Sequence, residues 1–193
     1  MSRPFSLLIG LLLVIGCAIT VGAEDLTWSA ADNQRTSLAE GNEYMILSGN
    51  AVLTSGSMRI TAEEIEANGK NLRYVYCRGS VRVREDERGI RLRSDHLFYD
   101  REEEITRIDG YTEMEDVENS VVVKGGFFEY LGKEELVIIQ IGVRILKVTA
   151  DTEITCRSEY ARYRRDDEIL ELTGVPRVTR NDDEYSASRI VIN

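Results

Sequence analysis

The chain has 193 residues, with 24 Lys and Arg against 34 Asp and Glu, a formal net charge of −10, 42% hydrophobic residues and 7% aromatic residues. That length fits one domain, and so acidic a balance argues against nucleic acid and against adsorption on anionic lipid headgroups. A single histidine and three cysteines leave few groups for metal or nucleophile chemistry.

The first segment, MSRPFSLLIGLLLVIGCAITVGA, carries one basic residue, an apolar stretch from Phe5 to about Gly16, small residues at Gly22 and Ala23, and then Glu24 and Asp25. This is the layout of a signal peptide over residues 1–23, cut after Ala23, ahead of one domain over 24–193. Two other readings stay open. Val14-Ile15-Gly16-Cys17 resembles a lipoprotein cleavage box with Cys17 lipidated, and the run from Phe5 to Ala23 is about the length of a membrane span. All three put the domain outside the cytoplasm.

Residues 43–67 set the pattern for the rest of the chain. Met58, Ile60, Ala62 and Ile65 alternate with Arg59, Thr61 and Glu63-Glu64, as a strand with one buried face requires. The pattern then repeats. Gly49, Gly79, Gly110, Gly142 and Gly174 lie 30, 31, 32 and 32 residues apart. A second set, Asp32, Glu63, Asp95 and Glu159, keeps the same period, with Gly126 and Ser188 at the places where the acid is lost. Each unit therefore reads as a hairpin of two long strands. Polar turns are expected at 68–71, 100–104, 132–135 and 164–168 on one side and at 54–57, 84–89, 115–120 and 179–184 on the other. The count is about eleven long strands, several bent near the middle, with no helix beyond the export segment. Pro176 is expected in the next-to-last strand, near an edge, and Gly125-Gly126 at a bulge or close approach.

The alternation sends one set of side chains to a common face. Before the acids these are Met58, Ile60, Ile90, Leu92, Val121, Val123, Ile154 and Cys156; after the glycines they are Ala51, Leu53, Val81, Val83, Thr112, Met114, Val143 and Ile145. Stacked repeats turn these ladders into one apolar interior, either a packed core or a greasy groove. Tyr74, Tyr76, Tyr99, Tyr130, Tyr160 and Tyr163 recur near turns, where a ring packs and its hydroxyl stays wet. Cys77 and Cys156 fall five strands apart, about 24 Å within one sheet. A bridge needs Cα atoms within about 7 Å, which only two facing sheets could provide, so two buried free thiols are expected.

Catalytic chemistry finds no foothold. His96 beside Asp95 lacks a second metal-type residue, and the recurring acids read as strand-end and turn chemistry. No serine elbow, phosphate loop or Cys–His pair occurs. The expectation is no enzyme, no metal and no cofactor.

ADNQ, NEYMILSGNAVLTSG and MRITAEEIEA, followed by repeated G-x-V-x-V and apolar-x-(Ala/Ser)-(Asp/Glu) elements, resemble the OstA-like family of lipopolysaccharide-transport proteins. The likeness runs over the mature chain and is clearest at residues 30–67. It implies an all-β fold, an open, twisted β-jellyroll, here of about five and a half hairpin repeats of 30–32 residues. It implies a periplasmic location and an interior that shields lipid A acyl chains. It also implies head-to-tail stacking that bridges the inner and outer membranes. Carried onto this sequence, the lipid-facing residues are Met58, Ile60, Ile90, Leu92, Val121, Val123 and Ile154, joined by Ala51, Leu53, Val81, Val83, Met114, Val143 and Ile145 from the alternation. The chain departs from the pattern at Gly125-Gly126.

The partners expected are lipopolysaccharide or a related envelope lipid, other jellyroll proteins of the bridge through edge-strand pairing, and copies of this chain head to tail. The outermost strands, around 25–32 and 188–193, read as bare edges able to template such pairing. Three alternatives remain: a membrane-anchored component of the same pathway, a binder of another envelope lipid, and a structural β-repeat with a dry core.

Overall fold

The computed structural model describes residues 27–30, 32–87, 89–164 and 166–192. Residues 1–23, expected as a signal peptide, with Cys17, and Asp25, expected at an edge, lie outside the described residues. Fourteen strands make one antiparallel sheet. They are β1 (Thr27–Ser29), β2 (Asn33–Ala39), β3 (Asn42–Ser55), β4 (Met58–Asn68), β5 (Tyr74–Glu85), β6 (Ile90–Asp100), β7 (Ile105–Asp116), β8 (Val121–Leu131), β9 (Leu136–Val148), β10 (Glu153–Arg164), β11 (Ile169–Thr173), β12 (Arg177–Arg180), β13 (Asp183–Ser186) and β14 (Arg189–Ile192). A one-turn 3-10 helix at Lys70–Leu72 interrupts the turn before β5.

Strands β3 to β10 are long and pair in sequence order. At the start, β1 and β2 share the free side of β3, pairing with residues 52–54 and 42–48. At the end, β11 and β12 share the free side of β10, and β14 and β13 follow them. Each of these pairs is one bent strand broken at its bend, so the eleven strands expected appear as fourteen. Pro176 sits at the break between β11 and β12, not within a strand as expected, because a proline there forfeits no ladder bond. Two turns were not foreseen, Glu40-Gly41 and Thr149–Thr152. In the second, threonines take the place of glycine: Thr149 N donates to the Thr152 carbonyl (2.8 Å) and Thr152 N to Thr149 Oγ1 (3.1 Å).

Every long strand changes register near its middle. The glycine set lies at these shifts with left-handed backbone, for example Gly49-Asn50 (φ 77° and 51°), Gly79-Ser80 (73° and 50°) and Gly174-Val175 (75° and 55°). On β3, Gly49 and Asn50 oppose the single residue Glu63 of β4, which is a bulge. The acids belong to the same feature. A Cβ on Gly79 would lie 2.5 Å from Glu63 Oε2, and one on Gly174 2.6 Å from Glu159 Cβ; Gly49 meets Asp32 in the same way. Each acid therefore packs across the glycine of the next strand, at mid-strand. This corrects their reading as strand-end and turn residues.

Aligned bulges crease the sheet into two halves. The front half runs from the crease to the turns at 56–57, 86–89, 117–120, 149–152 and 181–182, and the back half to the opposite turns. The crease itself is lined on its inner side by small buried residues, Ala51, Ala62, Val81, Ser94, Thr112, Gly125, Val143 and Ser158. Thr112 Oγ1 donates to Ser94 Oγ there (3.1 Å). Apolar side chains on one face of a lone sheet can be buried only if the sheet covers itself, since no α-helix lies among the described residues. Leu47, Ile65, Val123, Val137 and Leu172 are all 0% exposed and join one continuous cluster. The two halves therefore close on each other as a creased jellyroll.

Candidate functional site: the apolar interior and its rim

All fourteen candidate lipid-facing residues point inward from the front half and are buried, from Ala51 and Val123 at 0% to Leu92 at 8% exposed. The intervening Arg59, Arg91, Arg93 and Arg157 are exposed. They form cross-strand rungs: Leu53, Ile60, Val83, Leu92, Met114, Val123, Ile145 and Cys156 follow one another in register across eight strands.

The opposite wall comes from the back half and contains Met45, Leu47, Ile65, Leu97, Phe128 and Leu172, all buried, of which the alternation in the sequence picks out only Ile65. The signal was present but out of phase. On β4, β6 and β10 the acid and its successor both face outward, as do Gly126 and Phe127 on β8, so inward positions run 58, 60, 62 and then 65, 67 on β4. Alternation counted from the front half loses step there.

The tyrosines need a correction. Tyr99, Tyr130 and Tyr163 are 4, 8 and 1% exposed and sit inside, two positions beyond the buried Leu97, Phe128 and Ala161. They share one rung of the back half, in the register Tyr99, Thr106, Tyr130, Val137, Tyr163. Burial pushes the Tyr99 hydroxyl up to about 12. Tyr74, Tyr76 and Tyr160 stay half-buried on the outer face, where the Tyr76 ring lies 5.0 Å from that of Phe98.

The matching rung of the front half, nearest its turns, alternates apolar and ionisable groups: Met58, Glu85, Ile90, Asp116, Val121, Lys147, Ile154, Arg180. Glu85, Asp116 and Lys147 are buried at 7, 0 and 6% exposure. Asp116 accepts from Asn119 N (2.9 Å) and Nδ2 (2.7 Å), and Glu85 accepts from Glu87 N (3.2 Å). Burial lowers the Lys147 pKa, against the opposing charge of Asp116. The interior is thus aliphatic at its centre, with a tyrosine rung on one lip and a charged rung on the other. That arrangement suits an amphiphile better than a polar substrate.

On the back lip, Arg73 clamps Asp100 through Nε and Nη2 (both 2.8 Å), and Asp100 Oδ1 also accepts from the Glu102 and Glu103 amides. The Arg73 guanidinium holds the Asp100 carboxyl below its ordinary range. His96 is exposed between Arg78 and Asp109 in register. Among the described residues, no three His, Cys, Asp or Glu side chains gather as a metal site would require.

Cys77 and Cys156 are free and buried, on opposite halves. Burial raises both thiols to about 12. At pH 8 such a thiol is thiolate in about one part in 10⁴. Native protein beginning at residue 24 is therefore expected to resist a maleimide and to take up two equivalents once unfolded in urea. Mass spectrometry checks this, and rapid native labelling would contradict the closed interior.

Among the described residues, no further strand pairs beyond β2 at one end or beyond β13 and β14 at the other. β2 is exposed along most of its length, and β13 is exposed throughout. Arg189 on β14 is held to its own sheet by Glu171 (2.6 Å) rather than guarding the edge.

A scan against protein families finds no match, and no curated protein matches this chain in sequence. Among solved structures, one that aligns is described as the crystal structure of LptH, the LptA-homologous periplasmic component of the conserved lipopolysaccharide transport device of Pseudomonas aeruginosa. The alignment covers 83% of this chain and 96% of that one, at 13% identity and a TM-score of 0.34. At that level of likeness, function has to be read from this chain's own residues.

Proposed function

We propose that this chain is an extracytoplasmic lipid carrier that shields acyl chains between the halves of its creased sheet and hands them along a periplasmic bridge. The observation that supports it most is the register-matched aliphatic interior, opening toward two lips that carry tyrosines and charges. The crease is the natural hinge, since its bulges interrupt the ladder at every strand. Parting the lips exchanges aliphatic contacts for acyl-chain contacts, and each buried methylene contributes about 0.8 kcal/mol. Lipopolysaccharide is the cargo that the OstA-like resemblance of residues 30–67 supports. The free edges at β2 and at β13 and β14 suit head-to-tail pairing with other jellyroll proteins or further copies. The chain performs no chemistry on its cargo.

A second reading has a specific observation behind it: the interior residues are only 0–9% exposed, as in a dry structural core. Photocrosslinking in living cells separates the two, with a probe at Ile60 in one strain and at Arg59 in another. A lipopolysaccharide adduct at Ile60 and none at Arg59 is the expected result. An adduct to a different lipid changes the cargo. No lipid adduct at Ile60 in folded, exported protein sinks the carrier.

A further inference from the structure

The outer face of the front half has a charge opposite to that of the chain as a whole. Along one rung, Arg82, Arg93, Glu113, Lys124, Arg144, Arg157 and Arg177 follow in register on neighbouring strands. That is six cations to one carboxylate, about 4.8 Å apart. The next rung adds Arg59, Arg84 and Arg91 side by side, of which Arg84 pairs with Asp86 (2.9 Å) and Arg91 with Glu115 (3.8 Å). Lys124 pairs with Glu113 (2.7 Å) and Arg177 with Glu184 (3.3 Å). Among the described residues Arg82, Arg144 and Arg157 form no ion pair, and Arg93 has opposite it only Glu113, which Lys124 already holds, although Arg82 faces Arg93 directly and Arg144 faces Arg157. Like charges directly opposite oppose sheet formation.

The back half shows that this sequence can match charges when it needs to. There Arg78 pairs with Glu64 and Glu66, Arg107 with Glu129, and Arg189 with Glu171. What is confined to the front face, among the described residues, is arginine facing arginine across the ladder. Beside them lie aliphatic groups with no cover: Val117, Leu146 and Val148 are 43, 37 and 45% exposed at the turn edge. Leu146 faces Val122 across the ladder, and Val148 N donates to the Ser120 carbonyl (3.1 Å), so these groups are neighbours.

We propose that this face docks on a membrane leaflet rich in anionic lipid. Guanidinium groups meet headgroup phosphates, and the aliphatic edge enters the headgroup layer. A bilayer satisfies both features together, since it alone offers dense phosphate next to an apolar phase. The expectation drawn from net charge is reversed only along the strands of this face, because the acids gather in turns: those at 102–104, 134–135 and 166–168 lie at the far end, while Asp86, Glu87, Glu118 and Asp151 lie at the front turns themselves. The site is separate from the interior and does not depend on its cargo.

Vesicle co-sedimentation tests this with the mature chain, using phosphatidylcholine vesicles with and without roughly a third phosphatidylglycerol. Binding is expected only with the anionic lipid, falling as salt is raised. Each arginine near the surface contributes about five-fold, equivalent to about 1 kcal/mol. A variant combining Arg93→Gln, Arg144→Gln and Arg157→Gln should then bind about 100-fold more weakly. Lys70→Gln with Lys133→Gln, exposed turn residues of the back half, should bind like the parent. The triple variant should keep its lipid adduct at Ile60, which distinguishes failure here from failure of the carrier reading. Equal binding to neutral and anionic vesicles, or an unchanged triple variant, overturns the proposal. Binding to a single-stranded oligonucleotide without binding to vesicles also overturns it, in favour of a nucleic-acid surface.

Discussion

Phe128→Ala is expected to lower unfolding stability by about 3–5 kcal/mol, the usual cost of truncating a buried ring. The ring is 1% exposed on β8 and reaches the crease, where a Cβ added to Gly125 would lie 3.2 Å from Phe128 Cε2. Loss of the ring leaves a void at the one part of the interior where both halves meet and cannot part. A domain of this kind is stable by only about 5–15 kcal/mol, so the variant should sit near the edge of folding. Urea denaturation measures it, with the midpoint falling and the slope unchanged. The matching truncation at the rim, Ile90→Ala, should cost less, about 2 kcal/mol, because the lips relax more easily than the hinge. Equal costs at the two places would argue that the interior is uniformly rigid and would count against opening at the lips.

How much of this interior could be read from the sequence depends on where each residue lies relative to the crease. Before the crease the signal is local. Met58 and Ile60 alternate with Arg59 and Thr61, and the phase holds on every strand from Ala51 to Ile154. Beyond the crease the phase depends on the bulges, and Glu63-Glu64 looks like ordinary polar sequence until Gly79-Ser80 is seen beside it. That is why the alternation reaches only Ile65 of the six back-wall residues, and why Tyr99, Tyr130 and Tyr163 read as wet positions. The repeat itself was legible through two unrelated residue types, acid and glycine, with one period. Their contact across neighbouring strands was not, because it joins positions about sixteen residues apart through a bend that composition does not encode. The basic outer face was hidden for a different reason. Net charge averages over the chain, and only the register brings Arg82 to Arg93 and Arg144 to Arg157.

The fourth repeat tests the acid–glycine contact itself. Here the acid is replaced by Gly126, and the left-handed pair begins not with glycine but with Ile141 (φ 67°), followed by Gly142 (φ 64°). A Cβ on Gly126 would lie 2.9 Å from Ile141 Cβ, whereas one on Gly142 would meet nothing within 4 Å. The side chain has changed sides: acid over glycine in the other repeats, isoleucine over glycine here. Gly126→Glu alone should therefore cost about 1–3 kcal/mol through overpacking. Ile141→Gly alone should be neutral or stabilising by up to about 1 kcal/mol, since it relieves a β-branched residue of left-handed backbone at a site already 65% exposed. Together the two changes rebuild the arrangement of Glu63 with Gly79, and the pair should return close to the parent. The double-mutant cycle should give a coupling of about 1–3 kcal/mol. Additivity to within about 0.5 kcal/mol would show that the acids and glycines share a period without sharing a contact, and the crease would then need another cause.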